Sequence, residues 1–226
     1  EYLALPFDTQ HTMDFPSKSS NFIYDPLAQQ YYFTTYPTGE ASLIPRMFIG
    51  DQEYANAVLV CMDATAQVLW IKESNNRLST LINDIITDSE SNVYISGIGT
   101  RSTLLPNGEF GPENGNFAGY QFTTSSARKA FVIKFDSSGN LIWGSNAGIP
   151  VYESRRTEFA PGMVLNGDEI AVATGFYNQK WGEYGITGQL QQGAGYEAIL
   201  IRLNSITGVS IGAHRIFGHI GFNDAL

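Results

Sequence analysis

Short apolar runs, each closed by a polar turn, dominate this chain. Ala57-Val-Leu-Val-Cys-Met-Asp63 leads on to Trp70, Ala130-Phe-Val-Ile-Lys-Phe-Asp136 to Trp143, and Ala198-Ile-Leu-Ile-Arg-Leu-Asn204 to Ile211. In each the last residue stands 13 positions after the first (70−57, 143−130, 211−198). The pattern predicts a strand, a tight turn and a second strand. Asp63, Asp136 and Asn204 fall at one equivalent place, where a short polar side chain bonds the backbone two residues on and closes the turn. A further hairpin is predicted before two of these. Ile82-Asn-Asp-Ile-Ile-Thr-Asp88 leads to Asn92-Val-Tyr-Ile-Ser-Gly97, and Ala160-Pro-Gly-Met-Val-Leu-Asn166 leads to Ile170-Ala-Val-Ala-Thr-Gly175. The two align without a gap at an offset of 78 (160−82, 175−97). Asn21-Phe-Ile-Tyr-Asp25 and Tyr31-Tyr-Phe-Thr-Thr35 form a weaker copy. β-Branched and aromatic residues fill the runs, and no segment holds a 3.6-residue apolar period for more than two turns, so no long helix is predicted.

One unit is therefore four strands, A to D, with a long loop between B and C. Three units fit, at about 19–73, 82–147 and 160–217. Four antiparallel strands recurring with no helix between them predict an all-β fold of β-propeller blades; the alternative is a large β-sandwich. Phe222-Asn-Asp-Ala-Leu226 matches Ile82-Asn-Asp-Ile-Ile86, so a fourth blade is expected to start at 222. A propeller closes with 4–8 blades. The expectation is that the polypeptide continues beyond Leu226 or that the blades are completed by a neighbouring subunit. Residues 1–18 are expected to be an N-terminal extension or a strand of another blade.

The units resemble the bacterial β-propeller repeat abbreviated SBBP. The resemblance is carried by Asp88-Ser-Glu-Ser-Asn92-Val-Tyr94-Ile-Ser-Gly97 and Ala130-Phe-Val-Ile-Lys134-Phe-Asp136-Ser-Ser-Gly139. It covers about residues 20–226, is weaker in the third unit, where Gly162 stands at the place of Asp84, and is weakest in the first. Such repeats occur in secreted and surface proteins, so the resemblance implies an extracellular or cell-surface location; it says almost nothing about a ligand.

Composition narrows the function classes. A net charge of −9, from 13 Lys+Arg against 22 Asp+Glu, argues against nucleic-acid binding, which needs clustered basic side chains. With 43% hydrophobic, 13% aromatic and only 15% charged residues the chain is built to fold. No apolar run approaches the ~20 residues of a spanning helix. Cys61 is alone, which excludes an intrachain disulfide and a Cys-rich metal site. The chain opens at Glu1 without Met or a signal-peptide pattern, so either a removed leader or a longer parent is expected.

Alternating strand direction puts the A–B and C–D turns on one rim and the long B–C loops on the other. The ligand face is expected on the long-loop rim. The candidate binding residues there are Tyr177, Asn178, Trp181, Glu183 and Tyr184, whose flat rings beside amide and carboxylate groups suit a glycan or a peptide side chain. Arg101 and Asn114 in the loop 98–129 join them. The competing reading is that the aromatics pack each loop against its own blade. Asp88, Glu90 and Asn92 have the oxygen spacing that opens a calcium loop but lack the Gly and terminal Glu that complete one, and read as a hairpin turn. His214 and His219 read as surface or core filler rather than as a metal pair. No metal or cofactor is expected. Nucleophile elbow, Walker loop and His-Glu-x-x-His motifs are all absent from the sequence; Asp84 and Asp224 are candidate channel carboxylates by equivalence, but Gly162 at the same place in the third unit argues that the position serves the blade. The leading expectation is a non-enzymatic segment for binding, adhesion or assembly. The alternatives are a secreted hydrolase or lyase of polysaccharide type, completed by residues outside this stretch, and a structural subunit of a surface assembly.

Overall fold

In the computed structural model the described residues are 17–37, 47–54, 56–75, 81–99, 116–122, 129–148, 162–176, 179–186 and 196–220. All regular structure among them is β. The first unit runs β1 (Ser17–Asp25), β2 (Gln30–Pro37), a small hairpin β3 (Met47–Ile49) and β4 (Gln52–Tyr54), then β5 (Val58–Asp63) and β6 (Val68–Glu73). The second has β7 (Leu81–Thr87), β8 (Val93–Gly99), the hairpin β9 (Asn116–Phe117) and β10 (Tyr120–Gln121), then β11 (Lys129–Phe135) and β12 (Leu141–Asn146). The third has β13 (Gly162–Asn166), β14 (Glu169–Phe176), the hairpin β15 (Gln179–Trp181) and β16 (Tyr184–Ile186), then β17 (Tyr196–Asn204) and β18 (Ser210–Ile220). Each unit closes one four-stranded antiparallel sheet in chain order A-B-C-D: β1-β2-β5-β6, β7-β8-β11-β12 and β13-β14-β17-β18.

The sheets stack face to face, and strand alternation decides what each face buries. From the second sheet, Val93, Ile95, Phe131, Ile133 and Phe135 pack against Tyr32, Leu59 and Cys61 of the first. The opposite face, with Tyr94, Ala130 and Val132, meets Ile170, Val172, Ile199, Ile201 and Leu203 of the third. The middle sheet is therefore covered on both sides, which is why β8 is buried along its whole length and why its sequence lacks polar alternation. Phe131, Phe135 and Ile133 are worth roughly 1.5–3 kcal/mol each by removal from water.

The seams are tied in register. The indole N–H of Trp70, on strand D of the first sheet, donates to the carbonyl of Ser137 in the C–D turn of the second at 3.0 Å. Trp143 donates to Ser205 of the third sheet at 3.1 Å. The indoles lie against Gly139 (φ +80°) and Gly208 (φ +71°); a Cβ on either would come within 2.8 Å of the ring. Both turn glycines are thus required twice, by backbone angle and by the neighbouring tryptophan. Both tryptophans are half-buried rather than wholly enclosed.

Two equivalences read from spacing are corrected by the ladder. Trp70 pairs with Cys61 and Trp143 with Lys134, but in the third sheet it is Gly212, not Ile211, that pairs with Arg202. The third C–D turn holds one more residue, Gly208 standing four places after Asn204 where Gly139 stands three after Asp136, so the constant 13-residue span hides a slip. Likewise the A–B connections shorten from residues 25–30 to 88–92 to 166–169. The offset of 78 therefore holds for strand A and fails for strand B, where Thr174 rather than Gly175 takes the place of Gly97: Gly97 pairs with Phe131 and Thr174 with Ile199.

Cys61 is fully buried between the first two sheets, and burial pushes its thiol up to about 12. A thiolate is the reactive form. The folded protein is therefore expected to resist an aromatic disulfide reagent for hours and to release one equivalent of chromophore on adding denaturant; prompt labelling of native protein would contradict this packing.

Candidate functional site

Asp88 opens the A–B turn of the second sheet because its carboxylate caps the chain that follows. Oδ1 accepts from the backbone N–H of Glu90 and of Asn92, both at 2.9 Å. Oδ2 accepts from the Asn92 amide at 2.9 Å and the Tyr94 hydroxyl at 2.8 Å, and faces Lys134 Nζ at 3.3 Å. Lys134, buried, also donates to the Ser205 carbonyl at 3.3 Å and lies 4.8 Å from the centre of the Tyr94 ring. Asp88, Tyr94, Lys134 and Trp143 thereby converge on one turn of the third sheet. Burial alone would raise the Asp88 carboxyl, but the bonds from Asn92, Tyr94 and the turn backbone outweigh it and hold the group below the usual carboxylate range. Both Asp88 oxygens are engaged in holding the turn and Lys134. Asn92 directs its amide N–H groups at the carboxylates of Asp88 and Glu90.

The first sheet has the same row with different chemistry. Tyr32, Cys61 and Trp70 pair across the strands where Tyr94, Lys134 and Trp143 pair in the second. With a thiol in place of the ammonium, Asp25 Oδ1 caps Leu27 N–H at 2.9 Å while its buried Oδ2 has no hydrogen-bonding partner among the described residues. Tyr32 turns instead to Gln30 Oε1 at 2.6 Å. In the third sheet the row is Ala171, Arg202 and Gly212, and Arg202 swings to Glu169 in a half-exposed bidentate pair. Asp84, the candidate channel carboxylate, accepts from Met163 N–H at 2.9 Å and so joins strand A of the second sheet to strand A of the third. Asp224 lies outside the described residues.

The opposite rim carries, among the described residues, three short hairpins inside the long B–C loops. Their signal is a two-residue turn after an apolar residue: Ile49-Gly-Asp-Gln, Phe117-Ala-Gly-Tyr and Trp181-Gly-Glu-Tyr. The first turn residue has positive φ in all three (Gly50 +59°, Ala118 +48°, Gly182 +59°), as tight hairpins demand. Ile49, Phe117 and Trp181 are all buried. Two of the hairpins reach back to strand D of the preceding sheet. Phe117 bridges Ser74, and Asn75 N–H bonds the Asn116 carbonyl at 2.9 Å. Trp181 donates its indole N–H to Ser145 Oγ at 2.8 Å, and Gly148 N–H bonds the Lys180 carbonyl.

This decides where the candidate binding residues sit. Trp181 is 1% exposed and packs in the seam between the second and third sheets, so it offers no ring to a partner. Tyr184 is partly buried against the same cluster, and Glu183 is exposed at the hairpin tip beside exposed Lys180. Tyr177, Asn178, Arg101 and Asn114 lie outside the described residues. His214 is exposed; His11 and the His219 side chain are likewise outside the description. Among the described residues no group of three or more His, Cys, Asp or Glu side chains is arranged to hold a metal ion, and no helix is long and apolar enough to cross a membrane. No family model and no curated protein matches the chain.

Proposed function

We propose that this chain is an arc of a β-propeller of the kind its SBBP-like motifs suggest, acting outside the cell or at its surface as a non-enzymatic module for binding or assembly. The observation that carries the reading is the stacking of three sheets of identical strand order, each displaying a B–C hairpin. Repeated hairpins on a rigid stack form a recognition rim without strain in the scaffold. The use made of charged groups favours binding over a polysaccharide hydrolase or lyase: Asp84 and Lys134 bond the third sheet, and Asp88 holds Lys134. The partner is a protein or a glycan that meets polar hairpin tips, with Lys180 and Glu183 as contacts and the tryptophan beneath them as support.

The test is a glycan array and a panel of purified extracellular proteins, followed by titration of any hit. The double substitution Lys180→Glu with Glu183→Arg is expected to weaken binding at least tenfold, while Ser138→Arg on the turn rim leaves it unchanged. Binding that follows Ser138 instead would place the partner on the other rim. Release of reducing ends from a polysaccharide would support the hydrolase alternative.

A further inference from the structure

The seam between the first two sheets repeats the seam between the second and third, with one charge removed. In the later seam the Lys134 ammonium lies 3.3 Å from Asp88 Oδ2, 3.3 Å from the Ser205 carbonyl and 4.8 Å from the centre of the Tyr94 ring. The ladder places Asp25, Tyr32, Cys61 and Trp70 where the second sheet has Asp88, Tyr94, Lys134 and Trp143. Ser137 receives the indole in the first seam as Ser205 does in the second, at 3.0 and 3.1 Å. The ring centroids of Tyr32 and Trp70 are 5.8 Å apart and those of Tyr94 and Trp143 5.9 Å. Cysteine is far shorter than lysine and ends well before the point the ammonium reaches, yet the frame around that point keeps its dimensions.

The carboxylate of the first seam is held on one side only. Asp25 is 1% exposed. Its Oδ1 accepts from the backbone N–H of Leu27 at 2.9 Å and of Ala28 at 3.4 Å. Its Oδ2 is buried and has no hydrogen-bonding partner among the described residues. The charge of Asp25 acts on both the Tyr32 hydroxyl and the Cys61 thiol, which sets the carboxylate facing them. Gln30, in the place of Asn92, accepts the Tyr32 hydroxyl at 2.6 Å instead of bonding Asp25 Oδ2. Burial, the largest cause, pushes the Tyr32 hydroxyl and the Cys61 thiol up, so both stay neutral. Lys72 stands 5.7 Å over the Trp70 ring, and its charge acts on Asp136. A buried carboxylate oxygen that faces no donor is costly unless a cation meets it.

We infer that the first seam binds one monovalent cation, potassium, ammonium or sodium, between Asp25 Oδ2, the Ser137 carbonyl and the Tyr32 ring, in the place that the Lys134 ammonium takes in the second. One carboxylate balances one positive charge. A carbonyl oxygen and an aromatic face complete the surroundings that a desolvated small cation accepts. Calcium needs roughly six to eight oxygens and magnesium keeps several of its own waters, so this donor set suits neither. The cation ties the first sheet to the second as Lys134 ties the second to the third. The inference stands on the seam alone and does not depend on the propeller reading.

The test is the thermal midpoint of the chain by calorimetry in potassium, ammonium, sodium and choline chlorides at equal ionic strength, choline being too large for the site. At least one small cation is expected to raise the midpoint above that in choline by roughly 3–8 °C at about 150 mM. The shift should grow with the logarithm of concentration, and the ion giving the largest shift is the occupant. Cys61→Lys, which carries its own ammonium to the site, is expected to lose this dependence, and so is Asp25→Asn. If either variant does not fold, Cys61→Met, which fills the place with an uncharged side chain, replaces it with the same expectation. Equal wild-type midpoints in all four salts would mean that water or an internal hydrogen bond meets Asp25 Oδ2, and overturn the inference. A cation effect that persists in the variants places the ion elsewhere and also overturns it.

Discussion

Asp88→Ala is expected to destabilise the protein by about 3–5 kcal/mol, because it leaves the buried Lys134 ammonium without its carboxylate and strips the A–B turn of its cap. For a chain of this size the midpoint falls roughly 2–4 °C per kcal/mol, so a loss of roughly 6–20 °C should be read by calorimetry. Asp88→Ala with Lys134→Met should recover much of it, since the stranded charge is then gone; a double variant as unstable as the single one would mean that the turn, not the ion pair, dominates. The pH dependence has a definite sign. The folded Asp88 carboxyl titrates below its ordinary value of 3.8, so its contribution is fully present above the unfolded value and is lost as pH falls through the folded one. Asp136 is shifted the same way, burial raising it but bonds from Asn140 and Ser138 outweighing that. Wild-type stability should thus decline below about pH 4, and the gap between wild type and Asp88→Ala should narrow there. A gap unchanged down to pH 2 would contradict the ionised pair.

Trp181→Ala is expected to cost about 3–5 kcal/mol as well. The indole is fully buried between the second and third sheets, and its loss opens a cavity and removes the donor to Ser145 Oγ. Trp181→Phe should cost markedly less, since it keeps most of the ring volume and matches Phe117 at the equivalent place in the second hairpin. A midpoint unmoved by Trp181→Ala would show that the hairpin does not clasp the seam. Partner binding measured on folded protein, by contrast, should respond to Lys180 and Glu183, which stay exposed beside it.

The sequence alone determined the long strands of the three four-stranded sheets and their chain order. Alternating apolar positions, Asp or Asn at each C–D turn and the absence of a helical period are local signals, and antiparallel neighbours joined by short turns leave little freedom in pairing. The roles of Asp88 and Asp136 as turn residues were legible for the same reason. Tertiary structure decided the rest. The slip that puts Gly212 in the place of the tryptophans came from one extra turn residue, which a constant span conceals and only the hydrogen-bonded ladder reveals. The short hairpins are hard to see in a sequence because strands of two or three residues carry no periodicity; their trace is a two-residue turn after an apolar residue, as in Trp181-Gly-Glu-Tyr184. Trp181 looked like a binding residue because polar and aromatic neighbours in sequence surround it, yet whether a ring on a loop meets solvent or a neighbouring sheet is set by residues such as Ser145, 36 positions away. Burial between sheets is a property of non-local packing, and a linear pattern records only which residues can be buried, not which surface buries them.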